Sequence, residues 1–187
     1  MPEENRHIHM VGWTRWSVLT GDITHVEADA IVHVASGSLL GGGGIDGAVH
    51  RAAGPDLLAE CRALGECPVG EARITGGYRL PVRHVIHAVG PVWQGGGQGE
   101  ARLLASCYRA AFHLAREHGL RSLAFPAMAT SAHGFPGEEA AMVAARTVRE
   151  ELQATPDSFR HIMFVCFDEP TAELFDAAVR GVTADRG

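Results

Sequence analysis

The chain of 187 residues contains no lysine, and all 16 of its basic residues are arginine. A phosphate-binding loop of the Walker type needs a lysine on the phosphates, so the sequence excludes that class of nucleotide site. The same absence excludes catalysis through a lysine Schiff base. Any phosphate that the protein binds is therefore expected to contact backbone amides and helix dipoles, with help from arginine.

Positive charge and long apolar runs are scarce. The net charge is −6, which disfavours nonspecific adhesion to nucleic acid. Hydrophobic residues make up 46% of the chain but occur in interrupted runs, so no membrane association is expected. Residues 1–7 contain no apolar signal core, and this indicates a cytoplasmic protein.

Cysteine is also scarce, and its positions show no metal-ligand spacing. The four are Cys61, Cys67, Cys107 and Cys166. We expect reduced thiols, and neither a metal nor a cofactor. His84 and His87 are three apart on a predicted strand and point to opposite faces, which argues against a metal pair. The other histidines are scattered along the chain, and most are expected to be structural or exposed.

The main feature that is present is a strand, a glycine loop and a helix start within residues 29–53. An apolar run from Ala30 to Ala35 predicts a buried strand, and four glycines follow at Gly41–Gly44. Residues 45–53 have the pattern of a short helix. Glycine amides can crowd around an anion because no Cβ intervenes, and a helix N-terminus adds unpaired N–H groups and partial positive charge. The stretch therefore predicts a phosphate site.

Asp46 lies in the first turn of this helix, and His50 follows one turn later on the same face. Alone, Asp46 is explained as a helix-start residue, and His50 as a half-buried helix histidine. Together, beside a phosphate loop, they favour chemistry, because a carboxylate near a ligand phosphate is repelled and needs a compensating benefit. Activation of water, or stabilisation of a cationic sugar centre, would supply one.

Strands alternate with helices along the chain, which predicts an α/β fold: a three-layer α/β/α sandwich around a mixed, largely parallel sheet. One domain is predicted over residues 13–182, with flexible segments at 1–12 and 183–187. Residues 90–99 contain five glycines and are expected to form a mobile surface loop.

A second small-residue loop, residues 127–137, also connects a strand to a helix. Ligands of such sheets bind at the carboxyl ends of the strands. Both small-residue loops follow strands directly, so they are expected to face one cleft and to suit a diphosphate.

The glycine loop also contains Gly42-x-Gly44-x-x-Gly47, the spacing of a dinucleotide fingerprint. The match is weak, because in such folds the glycines close the first strand almost at once. Here residues 36–40 intervene, and Asp46 would meet the pyrophosphate unfavourably. A Rossmann-like NAD oxidoreductase is therefore a distant alternative, supported by the glycine spacing alone.

Two further positions have open interpretations. Phe167 ends a predicted strand on the binding edge and could belong to the core or could stack on a base. Asp22 follows the first predicted strand and could cap its turn or accept a hydrogen bond from an adenine amino group.

Several stretches together resemble a known family. They are Gly21-Asp22-Ile23-Thr24, Asp29-Ala30-Ile31-Val32, Leu39-Leu40-Gly41-Gly42-Gly43-Gly44-Ile45-Asp46-Gly47-Ala48-Val49-His50-Arg51-Ala52-Ala53-Gly54, Glu60-Cys61, Gly70-Glu71-Ala72, Val85-Ile86-His87-Ala88-Val89-Gly90-Pro91 and Phe164-Val165-Cys166-Phe167-Asp168. They closely resemble a macrodomain of the MacroD type, over nearly the whole chain.

The resemblance implies an ADP-ribose pocket. Asp22 would bind the adenine amino group, with Ile23 nearby and Phe167 stacked on the base. The diphosphate would be wrapped by two sets of residues: Gly42, Gly43, Gly44 and Ile45 in the first loop, and Ser131, Ala132, His133, Gly134 and Phe135 in the second. Asp46 and His50 would lie at the distal ribose, where family hydrolases release ADP-ribose from acidic side chains or from O-acetyl-ADP-ribose.

The sequence departs from the family pattern in both loops. The family usually has Asn-Ala-Ala-Asn after the central strand, whereas this chain has His33-Val34-Ala35-Ser36. The second asparagine normally touches the distal ribose, so Ser36 becomes a catalytic candidate with a shorter reach and no amide. In the second loop Ser131 replaces a glycine and His133 replaces an aromatic residue. His133 could stack or could donate a proton.

Two functions are therefore expected ahead of the oxidoreductase. One is hydrolysis of ADP-ribose from modified protein or nucleic acid, or deacetylation of O-acetyl-ADP-ribose. The other is non-catalytic ADP-ribose reading. The partners expected are ADP-ribose and ADP-ribosylated macromolecules, and the protein is expected to be a monomer.

Overall fold

The computed structural model describes residues 7–130 and 133–184. Its strands are β1 (His7–Val11), β2 (Thr14–Thr20), β3 (Ala28–Val34), β4 (Ala72–Gly76), β5 (Val82–Ala88), β6 (Ser122–Pro126) and β7 (His161–Cys166). Its α-helices are α1 (Gly44–Ala53), α2 (Pro55–Leu64), α3 (Glu100–Glu117), α4 (Gly137–Ala154) and α5 (Glu169–Ala184). A single 3₁₀ turn, Ile23–His25, is assigned within these residues.

The described strands form one sheet in the order β1-β2-β7-β6-β3-β5-β4. The four inner pairings, from β2 to β5, are parallel. The two edge strands, β1 and β4, pair antiparallel to their neighbours. The predicted mixed, largely parallel sheet is confirmed, and its parallel strands place their carboxyl ends along one edge.

Two apolar layers sandwich this sheet. Helices α3, α4 and α5 pack on one face, against a core that contains Val32, Ile86 and Phe125. Helices α1 and α2 pack on the other face, against residues that include Ile31 and Val85. Because side chains alternate along a strand, the odd-numbered residues of β3 and β5 point toward α1 and α2.

Part of the N-terminal segment that the sequence predicts to be flexible, residues 1–12, forms the edge strand β1, His7–Val11. A long-range contact holds this strand, because His9 Nε2 lies 2.8 Å from the buried carboxylate of Asp176 in α5. At the other end, α5 continues to Ala184, two residues beyond the predicted domain boundary.

All four cysteines are buried and form no disulfide. Within residues 7–130 and 133–184, no helix is both long and apolar enough to cross a membrane.

Candidate functional site

The N-terminus of α1 is an uncapped helix end made of glycine. Gly43 is the N-cap residue and no side chain bonds to the first turn. The Gly47 N–H donates to the Gly43 carbonyl at 3.4 Å. The N–H groups of Gly44, Ile45 and Asp46 precede this bond and have no acceptor within the helix. These donors and the helix dipole are the features from which the sequence predicts an anion site.

The glycine loop lies directly over Asp46 and His50. A Cβ on Gly41 would lie 3.4 Å from Cδ2 of His50, and one on Gly42 would lie 3.3 Å from Oδ2 of Asp46. Gly41 also has a φ of +95°, which disfavours any other residue. A Cβ on Gly47 would lie only 2.5 Å from the Gly42 carbonyl oxygen. The glycines are therefore needed to bring backbone amides close to the carboxylate and the imidazole.

The Asp46 carboxylate is buried, with only 7% of the residue exposed. Its Oδ2 accepts a hydrogen bond from the Ser36 N–H at 3.4 Å, and its Oδ1 lies 3.6 Å from Nε2 of His50. Burial raises the pKa of Asp46, and this effect is opposed by His50 and the Ser36 N–H. Asp46 is therefore a stronger base than an exposed aspartate, as a group that takes a proton from water requires.

A second imidazole faces the same carboxylate from the sheet. Nδ1 of His33 lies 3.5 Å from Oδ1 of Asp46, and Nε2 of His33 lies 2.7 Å from Nδ1 of His87. Nε2 of His87 lies 2.8 Å from the Thr75 hydroxyl. His33 and His87 are both fully buried. His33, His50 and His87 therefore form one cluster.

Three polar atoms of this cluster meet at the carboxylate without a hydrogen-bond partner among the described residues: His33 Nδ1, Asp46 Oδ1 and His50 Nε2. Burial lowers the pKa of His33 well below its ordinary value, with His87 and His50 acting in the same direction. Burial likewise lowers the pKa of His87 to about 3. Both imidazoles are therefore neutral at physiological pH.

Asp22 and Phe167 both lie at the carboxyl edge of the sheet. They follow the neighbouring strands β2 and β7, and the Gly21 N–H donates to the Cys166 carbonyl at 2.9 Å. Asp22 caps the turn that follows β2, since its Oδ1 accepts from the N–H and the hydroxyl of Thr24. Phe167 is 87% exposed and does not belong to the core. Ile23, the residue after Asp22, is buried.

The second loop is described only in part, because Ser131 and Ala132 lie outside the described residues. The His133 carbonyl accepts from the Trp93 N–H at 2.8 Å. Gly134 has a φ of +69°. Phe135 is buried and donates its N–H to Ala129. The predicted contact of Phe135 with a diphosphate therefore cannot use its amide.

Sequence reasoning missed the contribution of residues 90–99. The ring of Trp93 packs on Phe135 with centroids 4.7 Å apart. The Glu100 carboxylate accepts the N–H groups of Gln94, Gly96 and Gln98. This segment is a surface loop, as expected, and these contacts tie it to Glu100 and to the second loop.

A groove of about 390 Å³ opens beside His50. Its lining residues are Leu40, His50, Arg51, Gly54, Pro55, Leu58 and Arg79. The groove thus adjoins His50, and two arginines contribute positive charge to its lining.

Comparison with known proteins assigns the family. The family model described as Macro domain matches residues 32–144, which include the end of β3, the glycine loop, α1 and the second loop. The chain belongs to the macro domain family. This membership agrees with the resemblance found in the sequence and removes the support for a Rossmann-like oxidoreductase.

Curated relatives span nearly the same length. A macro domain-containing protein of Mesorhizobium japonicum is 54% identical over 167 residues, covering 88% of this chain and 93% of the relative. A protein of Klebsiella pneumoniae named O-acetyl-ADP-ribose deacetylase is 51% identical over 162 residues, covering 84% of this chain and 92% of the relative.

Solved structures show the same macro domain fold. A macrodomain of Oceanobacillus iheyensis with ADP superposes with a TM-score of 0.90 at 37% identity, covering 95% of this chain and 96% of the other. The predicted three-layer architecture is therefore confirmed.

Proposed function

We propose that this macro domain binds ADP-ribose and hydrolyses ADP-ribosyl bonds, or the ester of O-acetyl-ADP-ribose, in the manner of MacroD-type enzymes. The observation that carries the proposal is the juxtaposition at the start of α1. Unpaired amides of Gly44 and Ile45 adjoin the buried carboxylate of Asp46, which has His50 one turn away. The backbone amides alone would suffice to bind a diphosphate. A buried carboxylate beside them is explained by catalysis, because it would otherwise only repel the ligand.

The ligand would extend along the carboxyl edge of the sheet. The exposed ring of Phe167 offers a stacking surface for adenine. Asp22, whose Oδ1 caps its turn and whose Oδ2 lies 3.4 Å from Nδ1 of the exposed His25, would bind the adenine amino group. The diphosphate would be held by two loops, residues 42–45 and residues 131–135. The ADP in the Oceanobacillus structure and the name of the Klebsiella relative support a ligand of this class.

Asp46 would act as general base on the water that attacks at the distal ribose. The proton leaves the water for a carboxylate oxygen of Asp46. The water oxygen bonds either to the anomeric carbon, as its bond to the leaving group breaks, or to the acetyl carbonyl carbon, as its bond to the ribose oxygen breaks, and the departing group takes up the proton from Asp46. His50 would orient the water or polarise the leaving group. Ser36, whose N–H binds Asp46, would face the same sugar with its hydroxyl.

His133 would stack on the distal ribose and would not donate a proton. Burial lowers the pKa of His133, so the ring is neutral at physiological pH. Its carbonyl is bound by Trp93, which fixes the backbone of the loop on that side.

A substrate panel tests the proposal. Purified protein and Asp46→Ala would be assayed against ADP-ribose conjugates of acidic side chains, serine, arginine and DNA bases, and against O-acetyl-ADP-ribose. We expect turnover of at least one conjugate by the wild type and none by Asp46→Ala, with ADP-ribose binding retained in calorimetry. Binding without turnover of any conjugate would instead identify a reader of ADP-ribose. No heat with ADP-ribose well above micromolar concentration would overturn both.

A further inference from the structure

A chain of buried side chains reaches Asp46 from inside the sheet. His33 of β3 and His87 of β5 are register partners in neighbouring parallel strands, so both point toward α1. Thr75 of β4, 2% exposed, closes the chain behind His87. The hydrogen bonds of 2.7 Å and 2.8 Å orient the two imidazoles.

The ionisation of Asp46 decides in which direction the hydrogen bonds run from side chain to side chain. A neutral imidazole has one N–H, so His33 can donate either to His87 or toward Asp46. If it donates to His87, its Nδ1 lone pair faces the Asp46 oxygen, which is repulsive for a carboxylate. In the opposite direction Thr75 donates to His87 and His87 donates to His33, and the His33 Nδ1–H lies on the side of Asp46 Oδ1, 3.5 Å away and outside hydrogen-bond geometry. In this direction the single Thr75 proton goes to His87 and not to the Gly76 carbonyl, which lies 3.1 Å from the same hydroxyl.

We propose that His33, held by His87 and Thr75, is a positioning residue that presents its Nδ1–H to Asp46 and so keeps this carboxylate ionised and aimed at the site. The consequence for turnover rests on the proposed function. The consequence for the Asp46 carboxylate does not, because it follows from the geometry of the four side chains.

The other titratable groups near the His33–His87–Thr75 row do not face Asp46 Oδ1 from the side that His33 occupies. From α1, His50 lies on the far side of Oδ1, 3.6 Å away. From α2, Cys61 is a neutral thiol, since burial raises its pKa to about 11. From β4, Arg73 lies opposite His87 in register, but its guanidinium pairs with Glu71 at 3.5 Å.

Loss of the His33 N–H would remove the dipole that faces Oδ1 on that side. The 3.5 Å separation lies outside hydrogen-bond geometry, so the interaction is electrostatic, and we expect the pKa of Asp46 to rise by about one unit. The acidic limb of the pH–rate profile would move upward by the same amount.

Carbon-13 NMR of the aspartate carboxyl groups tests this directly, without any need for turnover. The Asp46 titration would be followed in the wild type, in His33→Leu and in His33→Asn, which keeps an amide donor. We expect His33→Leu to raise the Asp46 pKa by about one unit and His33→Asn to restore it. Thr75→Val, nearly isosteric, is expected to give a smaller rise by releasing His87.

In parallel, pH–rate profiles and calorimetry with ADP-ribose would be recorded. We expect a displaced acidic limb in His33→Leu with KM and ADP-ribose affinity nearly unchanged. An Asp46 pKa that is the same in His33→Leu as in the wild type, or that His33→Asn fails to restore, overturns the proposal. If His33→Leu does not fold, an Asp46 pKa in Thr75→Val that equals the wild-type value overturns the proposal. An inactive wild type would contradict the proposed function while the NMR titration still decides the role of His33.

Discussion

Oδ1 of Asp46 and Nε2 of His50 lie 3.6 Å apart on successive turns of α1, beneath a loop of four glycines. The separation exceeds hydrogen-bond distance, so neither atom is committed to the other. Both atoms lack a hydrogen-bond partner among the described residues. The pair therefore keeps two polar atoms available for a water molecule or a substrate oxygen.

Asp46→Asn is expected to separate catalysis from binding. The amide cannot take a proton from water, and a general base contributes about 10²–10⁴-fold to the rate. Turnover should fall by that factor, while ADP-ribose affinity should stay equal or increase, because a negative charge next to the diphosphate is removed. Kinetics with the best conjugate of the panel and calorimetry with ADP-ribose measure the two effects.

Asp56→Asn is the matched control for that substitution. Asp56 lies in the first turn of the next helix, α2, and is exposed, so it has the same relation to a helix dipole without the loop above it. The Asp56→Asn variant should keep wild-type turnover. Equal losses of turnover in both variants would contradict a specific role for Asp46.

The stability of the protein should fall as the pH drops below 6.5, because of the buried histidines. His87 has a pKa of about 3 in the folded state against 6.5 for the ordinary value, and burial lowers the pKa of His33 as well. In this window the unfolded chain binds more protons than the folded chain, so acid favours unfolding. The stabilisation is complete above pH 6.5 and is lost progressively toward pH 3.

Urea unfolding at several pH values between 5 and 8 measures this dependence. His87→Gln should flatten the slope of unfolding free energy against pH, even though it lowers stability at pH 8. His113→Gln removes an exposed histidine of α3 and should leave the slope unchanged. A wild-type stability that is constant from pH 8 to 5 would show that the buried imidazoles are not neutral.

The sequence could predict most of the fold because the signals are local. The apolar run of β3, the four glycines and the helical pattern of α1 adjoin each other within about 25 residues, and each follows from periodicity or backbone freedom. The position of Asp46 one turn before His50 follows from helix geometry alone. These features predict an anion site, which stays a prediction, and they place the Asp46 carboxylate beside it.

The histidine cluster could not be predicted in the same way. Alternation places His33 and His87 on one face of their strands, but 54 residues separate them. Their contact depends on the register of β3 with β5, which has no local signal. Strand β1 was missed for the same reason, since its anchor joins His9 to Asp176, 167 residues away.

Phe167→Ala should weaken ADP-ribose binding without loss of stability. The ring is 87% exposed, so its removal leaves no cavity. Stacking of a base on an aromatic side chain contributes about 1–3 kcal/mol, and we expect affinity to fall about tenfold or more in calorimetry. Trp13→Ala is the control, because Trp13 is 84% exposed but precedes β2, at the opposite edge of the sheet. Unchanged affinity in Phe167→Ala would argue against adenine stacking there.

Gly47→Ala and Gly181→Ala should change stability in opposite directions, although both glycines lie in helices. A Cβ on Gly47 would come within 2.5 Å of the Gly42 carbonyl oxygen, so the loop must shift at a cost of about 1–3 kcal/mol, and ADP-ribose binding should weaken with it. A Cβ on Gly181 meets nothing within 4 Å, and alanine there should stabilise α5 by about 0.5–1 kcal/mol. Thermal unfolding and calorimetry compare them, and tight binding by Gly47→Ala would contradict the close packing of the loop.

Ser36→Asn should increase the affinity for ADP-ribose. Ser36 is exposed, and its hydroxyl lies 3.1 Å from that of Ser38, so no packed neighbour prevents a longer side chain. The amide would add a hydrogen bond to the distal ribose of about 0.5–1.5 kcal/mol, which corresponds to a gain of about two- to tenfold. The Ser36 N–H to Asp46 is a backbone contact and survives the change. Ser38→Asn, two residues along the same loop, should leave affinity unchanged. An equal or lower affinity of Ser36→Asn, measured by calorimetry, would mean that this position does not face the sugar.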